Sequence, residues 1–453
     1  MTQSTPTNFH IISLGCSKNQ VDSEHLVQRL RSEGFTDTGL YNAELLLINT
    51  CSFIENAKKE SIEAILEAVS IGKPVIVLGC LSKRYQKELV REIPEVRYFF
   101  GVGQTDEIVH ACHEITGKTA VPKPCKPTVR QRLNPSHYAY LKVADGCNRA
   151  CSYCVIPSIR GPYRSIEQTA LVQEAQALAH DGVKELILVA QETTYYGRDL
   201  NINNRLCGLL KELAGIDELA WIRILYAHPG SIDEELLKIM AQTQKIVPYL
   251  DIPLQHSDTK ILRAMNRRGS ARDYLNLIRL IRKYMPDAVI RTTMIVGFPG
   301  EDEQQFQRLL DFIQEAEFDR LGAFSYSRQK GTKAARMRCQ VSESLCQERM
   351  EQLMTVQADI SLKKNRQYIG TVQDVIIDEI NEEKGSKVQG IGRTWGQTPE
   401  VDGITILKAH HGDLIPGQIV KVKITGAFEY DLEGILVEAT FDSVQRNHCK
   451  NAS

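Results

Sequence analysis

This chain of 453 residues lacks an excess of either charge, its formal total being -1, and so large a near-neutral protein is not expected to coat nucleic acid in general. No run of about 18 apolar residues is present to span a bilayer. The opening stretch, MTQSTPTNFH, has neither a basic n-region nor an apolar h-region, so no export signal is expected. A nucleophile elbow, a Walker loop and a dinucleotide fingerprint are all missing, since GVGQTD at Gly101 lacks the third glycine. The expected setting is the cytoplasm, with no membrane partner, and none of those three sequence signatures is available to explain the chemistry.

The chain does hold 12 cysteines. In a reducing compartment they read as metal ligands or free thiols rather than disulfides. With 42% hydrophobic and 25% charged residues it has the composition of globular protein, and its length allows about three domains.

Three cysteines stand together in DGCNRACSYCVIPSIRGPYRS, spaced Cys147-x-x-x-Cys151-x-x-Cys154. Structural zinc takes four protein ligands and ordinary iron-sulfur clusters take four thiolates. No nearby histidine or fourth cysteine completes this set, so one metal position is left open for chemistry.

The N-terminal stretch alternates strands and helices, the pattern of a parallel sheet with crossover connections. Strands are expected at 10–14, 45–48 and 75–78, with helices at 22–32, 57–69 and 83–92. A cysteine follows each strand: Cys16 in LGCSKN, Cys51 in NTCSF and Cys80 in LGCLSKRY. Loops at the carboxyl ends of parallel strands gather on one edge, so these three residues should converge in space.

Residues 119–136, TAVPKPCKPTVRQRLNPS, carry four prolines and a basic cluster. Proline excludes regular helix and central strand, so this is a linker. Cys125 within it reads as an exposed spectator, and the basic residues as a solvated run. Alternation then resumes, with strands at 140–143, 185–189, 221–225, 250–254, 289–295 and 320–326 and helices at 168–180, 234–241, 274–284 and 303–315. Six such units fall short of the eight of a closed barrel, which implies an open, partial one. A helical connector at 342–366 leads to short β runs at 371–377, 404–407, 419–425 and 434–438, a small barrel. Between residues 368 and 442, 13 Asp or Glu face six Lys or Arg, a local net charge of -7.

The Cys147, Cys151, Cys154 spacing, with Tyr153 before the last cysteine, resembles the radical S-adenosylmethionine superfamily. With SLGCSKNQVDSE, NTCSFIENAKKES, DIPLQHSD, TTMIVGFPGE and PEVDG, the whole chain resembles its methylthiotransferase family, and within it the branch that modifies an aspartate of ribosomal protein S twelve. The resemblance implies an α/β protein: an N-terminal open parallel-sheet cluster domain (8–118), the linker (119–136), a partial (β/α)6 TIM-like radical domain (137–340), the helical connector (341–367) and a TRAM-like antiparallel β-barrel (368–442). It implies two 4Fe-4S clusters, one on Cys147, Cys151 and Cys154 and one on Cys16, Cys51 and Cys80, together with S-adenosylmethionine. Tyr153 would contact the adenine, Gln191 and Glu192 the cofactor's amino group, and Gly297 in IVGFPGE the adenine side. One cofactor molecule methylates cluster-bound sulfur and another yields a radical that abstracts hydrogen from the β-carbon of the substrate aspartate. No side chain is singled out as catalytic.

Expected partners are ribosomal protein S twelve, free or in the assembled subunit, and a low-potential donor such as flavodoxin or ferredoxin. Two alternatives remain open at this point: a transfer-RNA adenosine methylthiotransferase and a non-catalytic iron-sulfur RNA-binding protein. A barrel that engages nucleic acid should be basic, because phosphate neutralisation supplies most of the affinity. The acidic C-terminal segment instead suits a basic protein through complementary potentials.

Overall fold

The computed structural model describes residues 7–117, 130–200, 205–381, 388–408 and 414–437. The chain divides into two units, Met1–Gln357 and Ala358–Ser453. The expected linker residues 119–129, Cys125 among them, lie outside the described residues.

The first unit opens with β1 (Thr7–Ser13), α1 (Ser17–Ser32), β2 (Phe35–Asp37), β3 (Leu45–Thr50), α2 (Glu55–Ser70), β4 (Val75–Gly79), α3 (Cys80–Glu92), β5 (Tyr98–Phe99) and α4 (Thr105–Thr116). These make a parallel five-stranded sheet of order β2-β1-β3-β4-β5. All six residues of β3 are buried, as expected for a central parallel strand covered on both faces. One face packs Phe9, Leu45 and Leu47 against Leu26, Leu30 and Ile108, and the other packs Leu46, Ile48 and Val77 against Ile65 and Leu89. The edge strands β2 and β5, three and two residues long, are too short to show an alternating pattern in the sequence.

The second half of this unit runs β6 (Tyr138–Lys142), β7 (Ala144–Asp145), α5 (Ile156–Arg160), β8 (Arg164–Ser165), α6 (Gln168–His180), β9 (Glu185–Val189), α7 (Arg205–Ala214), β10 (Trp221–Ile224), α8 (Glu234–Gln242), β11 (Ile246–Asp251), α9 (Thr259–Ala264), α10 (Ala271–Tyr284), β12 (Val289–Val296), α11 (Glu303–Ala316) and β13 (Arg320–Ser325). Six strands form one sheet in the order β13-β12-β11-β10-β9-β6. Every pairing is parallel, the expected open barrel. Side-chain caps set several helix starts: Asp233, Asp258 and Ser270 accept from the first turn, and Asp302 forms a capping box with Gln305.

Two expectations are corrected. The strand expected at 250–254 is β11, which begins four residues earlier. Between Ile222↔Ile246 and Ile224↔Leu250 the register shifts, and that irregularity accommodates Pro248, a residue tolerated in a sheet only at such places. The solvated basic run is also wrong where it is described. Arg130 is 3% exposed and pairs with Glu24 at 2.7 Å and with Glu174, while Arg132 pairs with Asp181 at 2.8 Å. Burial of a guanidinium requires such carboxylate partners.

α12 (Glu343–Arg366) spans the division between the units. In the second unit β14 (Val372–Ile380), β15 (Val388–Thr394), β16 (Thr405–Lys408), β17 (Ile419–Ala427) and β18 (Leu432–Leu436) close a barrel of order β14-β15-β16-β18-β17. Its pairings are antiparallel except β16 with β18, which is parallel. Val375, Ile377, Leu407, Val422, Ile424 and Leu432 fill its interior.

Candidate functional site

β1, β3 and β4 are neighbours, so their carboxyl ends open on one edge. Cys16 stands before the first residue of α1, Cys51 follows β3 directly, and Cys80 opens α3. Gly15 has φ +91°, and a Cβ there would stand 2.8 Å from Cys51 Sγ. Only glycine lets the Cys16 loop close on Cys51 in this way. Cys16 is exposed, whereas Cys51 and Cys80 are buried. Burial pushes the Cys80 thiol up to about 12 against the pull of Arg160, and pushes the Cys51 thiol up as well.

Asn19, in the first turn of α1, ties these strand ends together. Its Nδ2 donates to the carbonyls of Leu14 (2.9 Å) and Thr50 (3.0 Å), and its Oδ1 lies 3.8 Å from Cys80 Sγ. The same oxygen accepts from Arg160 Nη2 at 3.0 Å, a bond that reaches the second sheet.

Cys147, Cys151 and Cys154 lie in the loop between β7 and α5, at the carboxyl edge of the six-stranded sheet. Ser152 anchors that loop, donating its N–H to Met265 O (3.0 Å) and its hydroxyl to Ala264 O (2.7 Å). The N–H groups of Arg149 and Ile156 lie 3.4 Å from Cys147 Sγ and Cys154 Sγ, and Arg267 Nη1 lies 4.0 Å from Cys151 Sγ. Burial pushes the Cys154 thiol up to about 12 and raises that of Cys147. A metal-bound thiolate would relieve that penalty, and N–H donors aimed at sulfur are the usual surroundings of an iron-sulfur cluster. Among the described residues no three His, Cys, Asp or Glu side chains are gathered tightly enough to grip one ion. A cluster whose irons each take a separate thiolate does not require that closeness.

The two edges face each other through polar contacts. Arg160 pairs with Asp22 (2.9 Å) and Asp145 (3.0 Å), and Lys142 pairs with the same two carboxylates. Cys80 packs in one apolar cluster with Val155 and Ile159 of the cysteine loop and α5. Lys18 Nζ lies 3.5 Å from the centroid of the Tyr226 ring, beyond the end of β10. Burial pulls the Lys18 ammonium down, but Tyr226 and Cys16 outweigh it and hold the group above the usual lysine range.

The residues expected at the cofactor occupy the same edge. Tyr153 packs edge-on against Phe298 with centroids 6.4 Å apart, and burial raises its phenol. Gln191 Nε2 donates to Asp145 Oδ1 at 3.2 Å, leaving its buried Oε1 without a partner. Glu192 is 4% exposed and accepts both arms of Arg149 at 2.7 Å, plus Ser231 Oγ at 2.8 Å. Burial raises this carboxyl, but the Arg149 bonds win and hold it below the usual range. Gly297 has φ +71° and donates its N–H to Glu301 Oε1 at 3.0 Å. A Cβ there would stand 2.1 Å from Cys346 Sγ, so close packing also demands this glycine.

Sequence reasoning passed over Lys18, Asn19, Asp22, Lys142, Arg149 and Arg160. All lie inside or beside the motif stretches already quoted. Their offsets from the cysteines were visible, but their meeting across two sheets was not.

Three stretches match family models: 141–313 the Radical SAM superfamily, 8–101 the uncharacterized protein family UPF0004, and 369–437 the TRAM domain. Over 433 residues, 95% of this chain and 100% of the relative, the sequence is 45% identical to the ribosomal protein uS12 methylthiotransferase RimO of Thermodesulfovibrio yellowstonii. The chain belongs to the ribosomal protein uS12 methylthiotransferase family. The Aquifex aeolicus member is 43% identical over 430 residues, 95% of this chain and 97% of that one. Among solved structures, the radical S-adenosylmethionine methyltransferase TsrM of Kitasatospora setae, with cobalamin and a 4Fe-4S cluster bound, superposes with a TM-score of 0.54. It covers 85% of this chain and 82% of its own at 15% identity, a likeness of fold. Membership makes this methylthiotransferase a radical enzyme with 4Fe-4S clusters and S-adenosylmethionine as cofactors. No described helix is long and apolar enough to cross a membrane.

Proposed function

We propose that this chain inserts a methylthio group at the β-carbon of an aspartate in small-subunit ribosomal protein uS12, as free protein or in the assembled subunit. The work would take place in the cytoplasm with a low-potential electron donor such as flavodoxin or ferredoxin. The observation that carries this reading is the placement of two cysteine sets on facing sheet edges, linked by Asn19 and Arg160.

Cys147, Cys151 and Cys154 would hold the cluster at the six-stranded sheet, and Cys16, Cys51 and Cys80 the other, within domains spanning 8–118 and 137–340. When bound, these groups and the cofactor supply a carbon radical able to take hydrogen from an unactivated carbon, while the protein binds, orients and excludes water. The unpartnered Gln191 Oε1 is an acceptor for the cofactor's ammonium. Glu192 keeps Arg149 in place beside Cys147 and adds negative charge to the same corner. Tyr153 packs in an apolar cluster with Phe298, next to Gly297 in the chain, and these residues would border the adenine.

The charge of the C-terminal domain, 368–442, supports a protein substrate. Asp374 pairs with Lys421, Asp378 with Arg393 and Glu433 with Lys408, one anion to one cation each. These pairs leave the excess of -7 intact, and Glu379, Glu400 and Glu429 are exposed. Such a surface repels phosphate and attracts a basic ribosomal protein. Mass spectrometry of small-subunit proteins and bulk transfer RNA from cells lacking this chain tests the reading. Loss of the methylthio group from uS12 alone is expected, and loss confined to transfer RNA would refute it.

A further inference from the structure

A radical enzyme must hold the target carbon still before hydrogen is abstracted, and a substrate aspartate offers one strong handle, its carboxylate. A carboxylate entering a closed site needs a cation waiting there, since an unpaired buried anion is costly. Most of the buried Lys and Arg residues are already spent on other partners. Arg130, Arg223, Arg349 and Arg393 each hold a carboxylate, of Glu24, Glu185, Glu301 and Asp378 respectively. Arg320 opens β13, at the far edge of the sheet from the cysteines. At the near edge, Arg149 is committed to Glu192, Arg160 and Lys142 to Asp22 and Asp145, and Arg267 to the Pro253 carbonyl at 2.7 Å with Cys151 Sγ 4.0 Å away.

Lys18 differs from all of these. It is 8% exposed and no carboxylate pairs with it among the described residues. Its ammonium rests on the Tyr226 ring, 3.5 Å from the centroid, a contact that uses one face of the cation and leaves N–H donors over. Tyr226 has φ +61°, rare for a residue with a side chain. Its N–H bonds Asp251 Oδ2 at 3.2 Å and its carbonyl accepts from Thr193 at 3.0 Å, which fixes this unusual backbone at the sheet's carboxyl edge. Strained backbone of this kind survives where surroundings impose it and gathers at functional sites. Lys18 thus projects from the first cysteine edge, two residues past Cys16, onto the mouth of the second.

We propose that Lys18 is the residue that takes the carboxylate of the substrate aspartate, placing the adjacent β-carbon between the two cysteine edges. This rests on the protein-substrate reading above. The rival role for Lys18 is to neutralise Cys16 and support the cluster there.

The test uses the reconstituted full-length enzyme and purified uS12 in two forms, with the target aspartate intact or changed to asparagine. Binding is measured anaerobically for the native enzyme, Lys18→Met and Lys18→Arg, alongside iron content and melting temperature. The native enzyme should favour the aspartate form by about tenfold or more, the worth of one hydrogen bond between charged groups. Lys18→Met should lose that preference, binding both forms alike at the asparagine level with its iron retained, and Lys18→Arg should recover part of it. A preference that survives Lys18→Met, an equal loss for both forms, or loss of iron in that variant would overturn the assignment. Failure of the native enzyme to bind either form would overturn the uS12 reading itself, and the assignment with it.

Discussion

Arg160 and Asn19 meet across two separate parallel sheets, the guanidinium Nη2 donating to the carboxamide oxygen at 3.0 Å, with Cys80 Sγ 3.8 Å from that same oxygen. Through this one oxygen the environment of a cysteine at the end of β4 depends on a residue of α5, which follows the other cysteine set. Arg160 is 1% exposed at its side chain and also answers Asp22 and Asp145.

Removing Arg160 should therefore cost more than one contact. Arg160→Met leaves Asp22 and Asp145 with Lys142 as their one remaining shared cation, and losing a partly buried pair of this kind costs up to about 3 kcal/mol. Thermal melting of the variant should fall by several degrees. A melt unchanged from the native protein would show that Lys142 alone suffices for both carboxylates.

Iron content separates the two cysteine sets. The reconstituted native enzyme should carry about eight irons per chain, four per cluster. Replacing Cys16, Cys51 and Cys80 together by Ala should halve this while leaving the cofactor cleavage that depends on Cys147, Cys151 and Cys154. A native value saturating near four would leave only one of the two sets as a cluster site.

Gly297→Ala should be destabilising for two separable reasons. A Cβ at that position meets Cys346 Sγ at 2.1 Å, and φ there is +71°. Adding Cys346→Ala to Gly297→Ala should remove the 2.1 Å contact, leaving a Cβ–Cβ contact of 3.0 Å and the backbone term, about 1 kcal/mol for a side chain held in the left-handed region. Full recovery in the double variant would mean that the backbone relaxes to another conformation.

Stability should decline with acid through His228. Burial, aided by Arg267 and Arg149 and opposed by Glu192, pulls its imidazole down from 6.5 to about 3 in the folded protein. Below pH 6.5 the unfolded chain takes up a proton that the folded one refuses, so this contribution is complete above that pH and shrinks as acid is added. The fall from pH 6.5 to 5.5 should remove about 1 kcal/mol, and His228→Asn should flatten the slope. Denaturant titrations at pH 7.5, 6.5 and 5.5 measure it.

Most elements that carry the site were legible in the chain. The helices at Gln168–His180 and Glu303–Ala316 follow from a buried face that repeats at a fixed interval, and the strand at Glu185–Val189 from a short apolar run buried on both faces. β11 starts four residues before the expected strand and runs through Pro248, a residue that a sheet admits only at an irregularity, and only the pairing with β10 reveals one there. Arg130 looked solvated for a related reason: a basic residue among prolines carries no sign in the sequence of Glu24, 106 positions away.

The sequence by itself determined the cysteine pattern from which the cluster sites are proposed: three in one loop, where local spacing holds them together, and one after each of three strands that only a parallel sheet brings side by side. Only the tertiary structure decided which charges are spent. Lys18, Arg149 and Arg160 are all cations in the sequence, and pairing in space commits the two arginines to carboxylates while leaving Lys18 on Tyr226. Charge in a closed site is governed by its nearest neighbours in space, and those neighbours come from distant parts of the chain.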